Sequence, residues 1–124
     1  MKRLLAAVAL CLGVPAAADS QQLALSEPAV FLPMLTRGLE NGIADPIWFY
    51  IAAIINGANT HAVLTTGQPF ICGAPVFGDM DQTTDTIMRF VVVNDLVADK
   101  NALFEIVILL SHAEAFPCKM DWNV

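Results

Sequence analysis

The sequence predicts an all-α protein, a small four-helix domain that follows a cleaved signal peptide and carries one disulfide. Three observations lead there. The first 18 residues are ordered like an export signal, apolar side chains downstream recur at helical spacing behind capping residues, and two of the three cysteines lie beyond the leader.

The leader opens with Lys2 and Arg3, continues through an uncharged apolar run over residues 4–14, and breaks at Pro15. Ala16, Ala17 and Ala18 then offer the small side chains a signal peptidase inspects, so cleavage is expected after Ala18, with export to the periplasm. The apolar run is far shorter than the ~20 residues that span a bilayer. Cys11 sits in mid-run behind the bulky Leu10, a poor setting for lipidation. No membrane association is expected once the leader is removed.

Of 124 residues, those after position 18 suffice for one domain, 19–124, with a single core. The leader takes two of the six basic residues and none of the twelve acidic ones, which leaves a strongly acidic domain. Such a surface repels a phosphate backbone and excludes nucleic acid as a partner. It suits a basic protein partner, or solubility alone.

Cys11 leaves with the leader, so Cys72 and Cys118 remain as an even pair. In an oxidising compartment two such thiols most economically form one disulfide. Closing a loop of that span contributes about 4 kcal/mol in the chain-entropy model. Two lone cysteines without further Cys or His at ligand spacing do not make a metal site.

The elements follow in order. A first helix is expected from near Pro28, capped by Ser26, to the Asn41-Gly42 stop, with Phe31, Leu32, Leu35 and Leu39 at helical spacing and Pro33 delaying its start. Asp45 caps a second, with Pro46 at its first position. The apolar run over residues 47–55 implies burial from several sides, and Asn56-Gly57 closes it too early for a membrane span. Residues 65–78 read as loop, packed down through Phe70, Ile71, Val76 and Phe77. Asp79 resembles a cap with Gln82 in capping-box position, and Ile87, Met88, Val91 and Leu96 follow. The β-branched stretch at Phe90 passes for a strand, but the cap and acidic first turn favour helix. A last helix is expected from a cap at Asp99, its core stripe formed by Leu103, Ile106, Val107, Leu110 and Ala113, with Pro117 as its stop.

Phe104, Ile108 and Leu109 lie off that stripe and the second helix is apolar all round, so the domain carries more apolar surface than its interior can cover. The surplus predicts a homodimer, with a dense monomer core as the rival.

Catalytic chemistry is not assembled. His61 and His112 belong to no metal motif and are expected in ordinary surface or capping roles. Ser111 beside His112 on a helix does not give nucleophile–base geometry. Asp79, Asp81 and Asp85 lack the pattern of a calcium loop. No enzyme activity, cofactor or metal is expected.

Residues 49–57 (Phe-Tyr-Ile-Ala-Ala-Ile-Ile-Asn-Gly) are similar to the Tyr-Ile helix of the Rap1a/Tai family of small periplasmic proteins. Residues 70–75 (Phe-Ile-Cys-Gly-Ala-Pro) look like its Phe-Cys-x-Pro loop, and residues 113–118 (Ala-Glu-Ala-Phe-Pro-Cys) closely resemble its closing motif. Order and spacing fit over about residues 47–118. The resemblance implies an all-α domain, a Cys72–Cys118 bridge, dimerisation, and a protein ligand. In the family's best-studied members, immunity proteins of type VI secretion, that ligand is a peptidoglycan amidase whose active site is blocked. Phe49 stands where the family usually has a cysteine, and its upstream partner is also missing, which excludes a second disulfide. Ala53 replaces the motif's glycine, and its aspartate position is non-acidic. Partner contacts are expected from Thr65, Thr66 and Gly67 and from the 94–100 turn with Asn94, Asp95 and Asp99. The alternative is an acid-stress chaperone of the HdeA kind, whose dimer loosens as carboxylates are protonated.

Overall fold

Helix α1 runs Pro28–Asn41 and turns Phe31, Leu35 and Gly38 inward at helical spacing. The computed structural model describes residues 26–74 and 76–118, so the expected signal peptide lies outside the described residues. Glu27, not Ser26, occupies the cap position of α1, and no side chain caps it; the Glu27 carbonyl accepts from the Val30 and Phe31 amides instead. Pro33 does not delay the start. It stands inside the helix with its ring exposed. Gly42 ends α1 at φ 76° and opens a 3₁₀ turn, Gly42–Ala44.

Helix α2, Pro46–Thr66, begins as its sequence predicts. The Asp45 carboxylate accepts from the Ile47 amide at 3.0 Å, and Pro46 fills the first turn. Its buried residues are Ile47, Trp48, Ile51, Ala52 and Ile55. α1 and α2 cross at Gly38, where an added Cβ would lie 2.6 Å from Ile47 Cγ2. The Trp48 indole donates to the carbonyls of Gly38 and Gly42 at 3.2 and 3.0 Å, which ties the turn to the core.

The helix does not stop at Asn56-Gly57. A glycine inside a helix costs about 1 kcal/mol relative to alanine, too little by itself to end the helix. The stop falls at Gly67, whose φ of 82° supplies the left-handed cap. At 21 residues α2 is long and apolar enough to cross a membrane by length and composition, so its length does not exclude a span. Nor is it buried from several sides, because Phe49 is 62% exposed and Ala53 also faces outward.

The connection from Gly67 to Asp79 is anchored at Ile71 and Val76, both buried, while Phe70 and Phe77 are partly exposed. Helix α3, Met80–Val93, is capped by the Asp79 carboxylate, which accepts from the Gln82 amide at 2.9 Å. The β-branched residues near Phe90 are helical. Ile87 and Val91 face the core, Met88 is partly exposed, and Leu96 lies beyond the helix end.

Helix α4, Phe104–Ala115, departs most from expectation. Asp99 does not cap it; its carboxylate accepts from the Asn101 amide within the preceding turn. The Phe104 amide donates to the Ser26 carbonyl at 3.0 Å, so the segment before α1 satisfies the start of α4. The buried face is Phe104, Val107, Ile108, Ser111 and His112, whereas Ile106 and Leu110 are each 48% exposed. α4 packs on α2 and α3, and α1 packs on the same two helices. Phe31, Tyr50 and Phe104 stack at the centre, with ring centroids 4.6 Å (Phe31–Phe104) and 5.7 Å (Tyr50–Phe104) apart.

Past α4, Cys118 is bonded to Cys72 with Cα atoms 5.0 Å apart. The Cys72 amide donates to the Phe116 carbonyl, and Ile71 and Pro117 form an isolated antiparallel bridge. The described residues thus form four helices and no strand, closed by one disulfide.

Candidate functional site

The inner half of α2 faces the core, but its second half leaves the bundle. None of residues 56–66 is buried, and Leu64 is 81% exposed. Between this half and α4 runs a groove of about 540 Å³. Its walls are Ala53, Ile54, Gly57 and Ala62 from α2 and Leu109 from α4, with Phe70 at one end. Glu105 and His61 are the ionisable side chains on its lining. The whole of α2 contains no Asp, Glu, Lys or Arg. Phe49 packs on Phe77 on one side of α2, while Ile106 and Leu110 form the outer ridge of α4. These elements leave several large apolar side chains exposed on an acidic chain.

Asn59 fixes the groove's far end. Its Oδ1 accepts from the Phe70 and Ile71 amides at 3.1 and 2.8 Å, and its Nδ2 donates to the Ile71 carbonyl at 2.8 Å. One side chain thereby satisfies three backbone groups of a segment with no regular structure. Sequence reading missed this role, since an asparagine followed two residues later by histidine in an apolar helix carries no local signal of a bond to a distant loop.

The two loops expected to meet a partner lie at opposite ends of α4. Thr65 and Thr66 end α2, line the groove, and turn their hydroxyls back to the His61 and Ala62 carbonyls; Gly67 is exposed beside them. That segment leads to Cys72, which is tied to the chain just beyond α4. The 94–100 turn instead precedes the start of α4. In it the Asn94 amide group donates to the Phe90 carbonyl, Asp95 adopts φ 54°, and Asp99 organises the turn through Asn101. Asn94 lines a second depression of about 210 Å³, between α3 and α4, while Asp95 and Asp99 line neither cavity.

His61 is exposed, in line with a surface role, but His112 is fully buried. Its Nδ1 lies 2.9 Å from the Ile108 carbonyl and 3.2 Å from Ser111 Oγ, and Nε2 is buried without a partner. An unprotonated Nδ1 would set two lone pairs against each other at 2.9 Å, so Nδ1 carries the hydrogen and donates to Ile108. Ser111 Oγ donates to the same carbonyl at 3.1 Å. A nitrogen that already carries hydrogen cannot deprotonate Ser111, and both side chains are shut away from solvent. The adjacent Ser and His are therefore a core contact. Burial holds the imidazole below its ordinary range, opposed by the Ile108 hydrogen bond.

Among the described residues, the hydroxyl of half-buried Tyr50 is the other buried polar atom without a partner. Burial first, and then the Glu105 carboxylate, push its phenol up to about 12. It stays neutral at any physiological pH. Of the acidic residues singled out by sequence, Asp79 caps α3 and Asp85 pairs with Arg89 at 2.6 Å on an exposed surface. Among the described residues no three of His, Cys, Asp and Glu gather as metal ligands would.

No family model, curated protein or solved structure matches the chain.

Proposed function

We propose that this chain is an exported, non-catalytic protein whose apolar α2–α4 face docks a protein partner. The observation that carries the reading is the uncharged outer half of α2, with Leu64 in solvent beside the groove, on a chain of formal charge −6. An acidic chain with an apolar groove suits a partner that carries basic charge: charge speeds encounter and apolar contact supplies affinity. The motifs resembling the Rap1a/Tai family give the reading its finer form, an immunity-type inhibitor of a peptidoglycan amidase, acting in the periplasm as a homodimer. Thr65 and Thr66 then belong to the contact through the groove.

The test is calorimetric titration of the mature, disulfide-intact protein against the product of the adjacent gene. Nanomolar binding with loss of a wall hydrolase's activity supports the inhibitor. No binding at micromolar concentration sinks it. Sedimentation at micromolar concentration tests the dimer, which a purely monomeric species would refute. A second reading, an acid-stress chaperone, is favoured by the fully buried His112; holdase activity against an aggregating client at low pH distinguishes it.

A further inference from the structure

We propose that His112 is an acid-operated latch: as pH falls, the end of α4 from His112 to Phe116 leaves the core while the Cys72–Cys118 bond keeps it tethered. The geometry supplies the reason. The neutral ring fits, with Nδ1 on the Ile108 carbonyl and Nε2 buried without a partner. A second proton at Nε2 would create a buried cationic N–H with no acceptor. A charge in that position is tolerated only when paired and hydrogen-bonded. The ring is stacked on Phe116 at 6.0 Å, so moving it disturbs the corner at which the chain leaves the helix. That corner is held by few bonds. The Phe116 amide donates to the His112 carbonyl at 2.8 Å, and the Cys72 amide donates to the Phe116 carbonyl at 2.9 Å.

Asp85, Arg89 and Glu114 line the depression that Ser111 also borders, and none of them hydrogen-bonds the His112 ring. The titratable groups on the packed elements are Arg37 and Glu40 on α1, Tyr50 and His61 on α2, and Asp79 at the cap of α3. Asp81, Asp85 and Arg89 lie on α3 itself, and Glu105 and Glu114 on α4. None of these is among the influences on the His112 proton, which are burial and the Ile108 carbonyl. The sign follows. The closed form favours the neutral ring, so its stabilisation is complete above the ordinary histidine value of ~6.5 and is lost as pH falls below it. Carboxylates ordinarily titrate near ~4, beneath this window.

The latch is tested on the isolated protein with its disulfide intact, so its outcome is independent of whether any partner docks. Amide hydrogen exchange is followed from pH 7.5 to 5, with rates corrected for intrinsic exchange. Protection at the Phe116 and Cys72 amides should fall up to about tenfold per pH unit below ~6.5. The Asp45 and Trp48 amides, at the α1–α2 corner, should keep theirs. His112→Gln should abolish the slope and His61→Gln should preserve it. Flat protection in the unmodified protein, a slope that survives His112→Gln, or equal loss at all four amides overturns the proposal. Should His112→Gln fail to fold, the His112 ring resonances of the unmodified protein decide. They should stay neutral in the folded species below pH 6, and an ordinary titration near ~6.5 overturns the latch.

Discussion

Within α2, residues 46–55 bury Ile47, Trp48, Ile51 and Ile55, whereas residues 56–66 leave Val63 and Leu64 in solvent. Neither half contains Asp, Glu, Lys or Arg, but the first is apolar almost throughout, while the second mixes Ala62, Val63 and Leu64 with Asn, Thr and His; one builds the core and the other extends past it. Composition supplies part of the difference, and what surrounds the two halves supplies the rest. α1 crosses the first half at Gly38, and the Trp48 indole fastens the preceding turn. The second half has a groove on one side and, on the other, a loop held by Asn59. Apolar composition therefore measures how much surface must be covered, and neighbouring elements decide whether this chain covers it or leaves it to another molecule.

Substitutions in the two halves sharpen that contrast. The largest effect is expected from Trp48→Ala, which opens a cavity and removes the indole bond shared by two carbonyls, each of which keeps a backbone partner, at about 4 kcal/mol of unfolding free energy by urea titration. Replacing Cys72 and Cys118 together by serine should cost about 2–4 kcal/mol in the same measurement. The 67–78 connection should also lose protection from proteolysis near Phe70. Asn59→Leu removes three backbone bonds and should cost about 2 kcal/mol, with cleavage confined to the 67–78 connection. Asp45→Ala should cost about 1 kcal/mol through loss of the α2 cap. Leu64→Ala should change stability by less than about 0.5 kcal/mol yet weaken partner binding. A loss of 2 kcal/mol or more at Leu64 would break the distinction between the halves.

How much of this was legible in the sequence depended on the range of the interaction. Asp45 with Pro46, and Asp79 with Gln82, announce their helices because a capping side chain reaches only two or three residues along its own chain. The disulfide was legible because only Cys72 and Cys118 lie beyond the expected leader. The register of α4 was not. Ser111 and His112 are polar but satisfy themselves on the Ile108 carbonyl of their own helix, so they can be buried. A stripe drawn through apolar residues alone therefore rotates onto Ile106 and Leu110, which face outward. Likewise the 56–66 half of α2 was cut short at Gly57, because a glycine's local cost is visible and the stop at Gly67 depends on backbone conformation. The apolar surplus itself was legible in composition, at 56% hydrophobic residues, though not the ridge it occupies.

The hydrogen bond from the Phe104 amide to the Ser26 carbonyl makes the first described residue part of the last helix. The stack of Phe31 on Phe104 joins the same distant stretches. Neither contact exists until nearly the whole chain is available, so a chain emerging from its N-terminus must wait with α1 half-covered. Folding of this kind is closed rather than sequential: a fragment without α1 or α4 cannot make the contacts that join them. The apolar side chains of α1 would meanwhile remain open to whatever holds an incomplete chain, until α4 arrives to displace it.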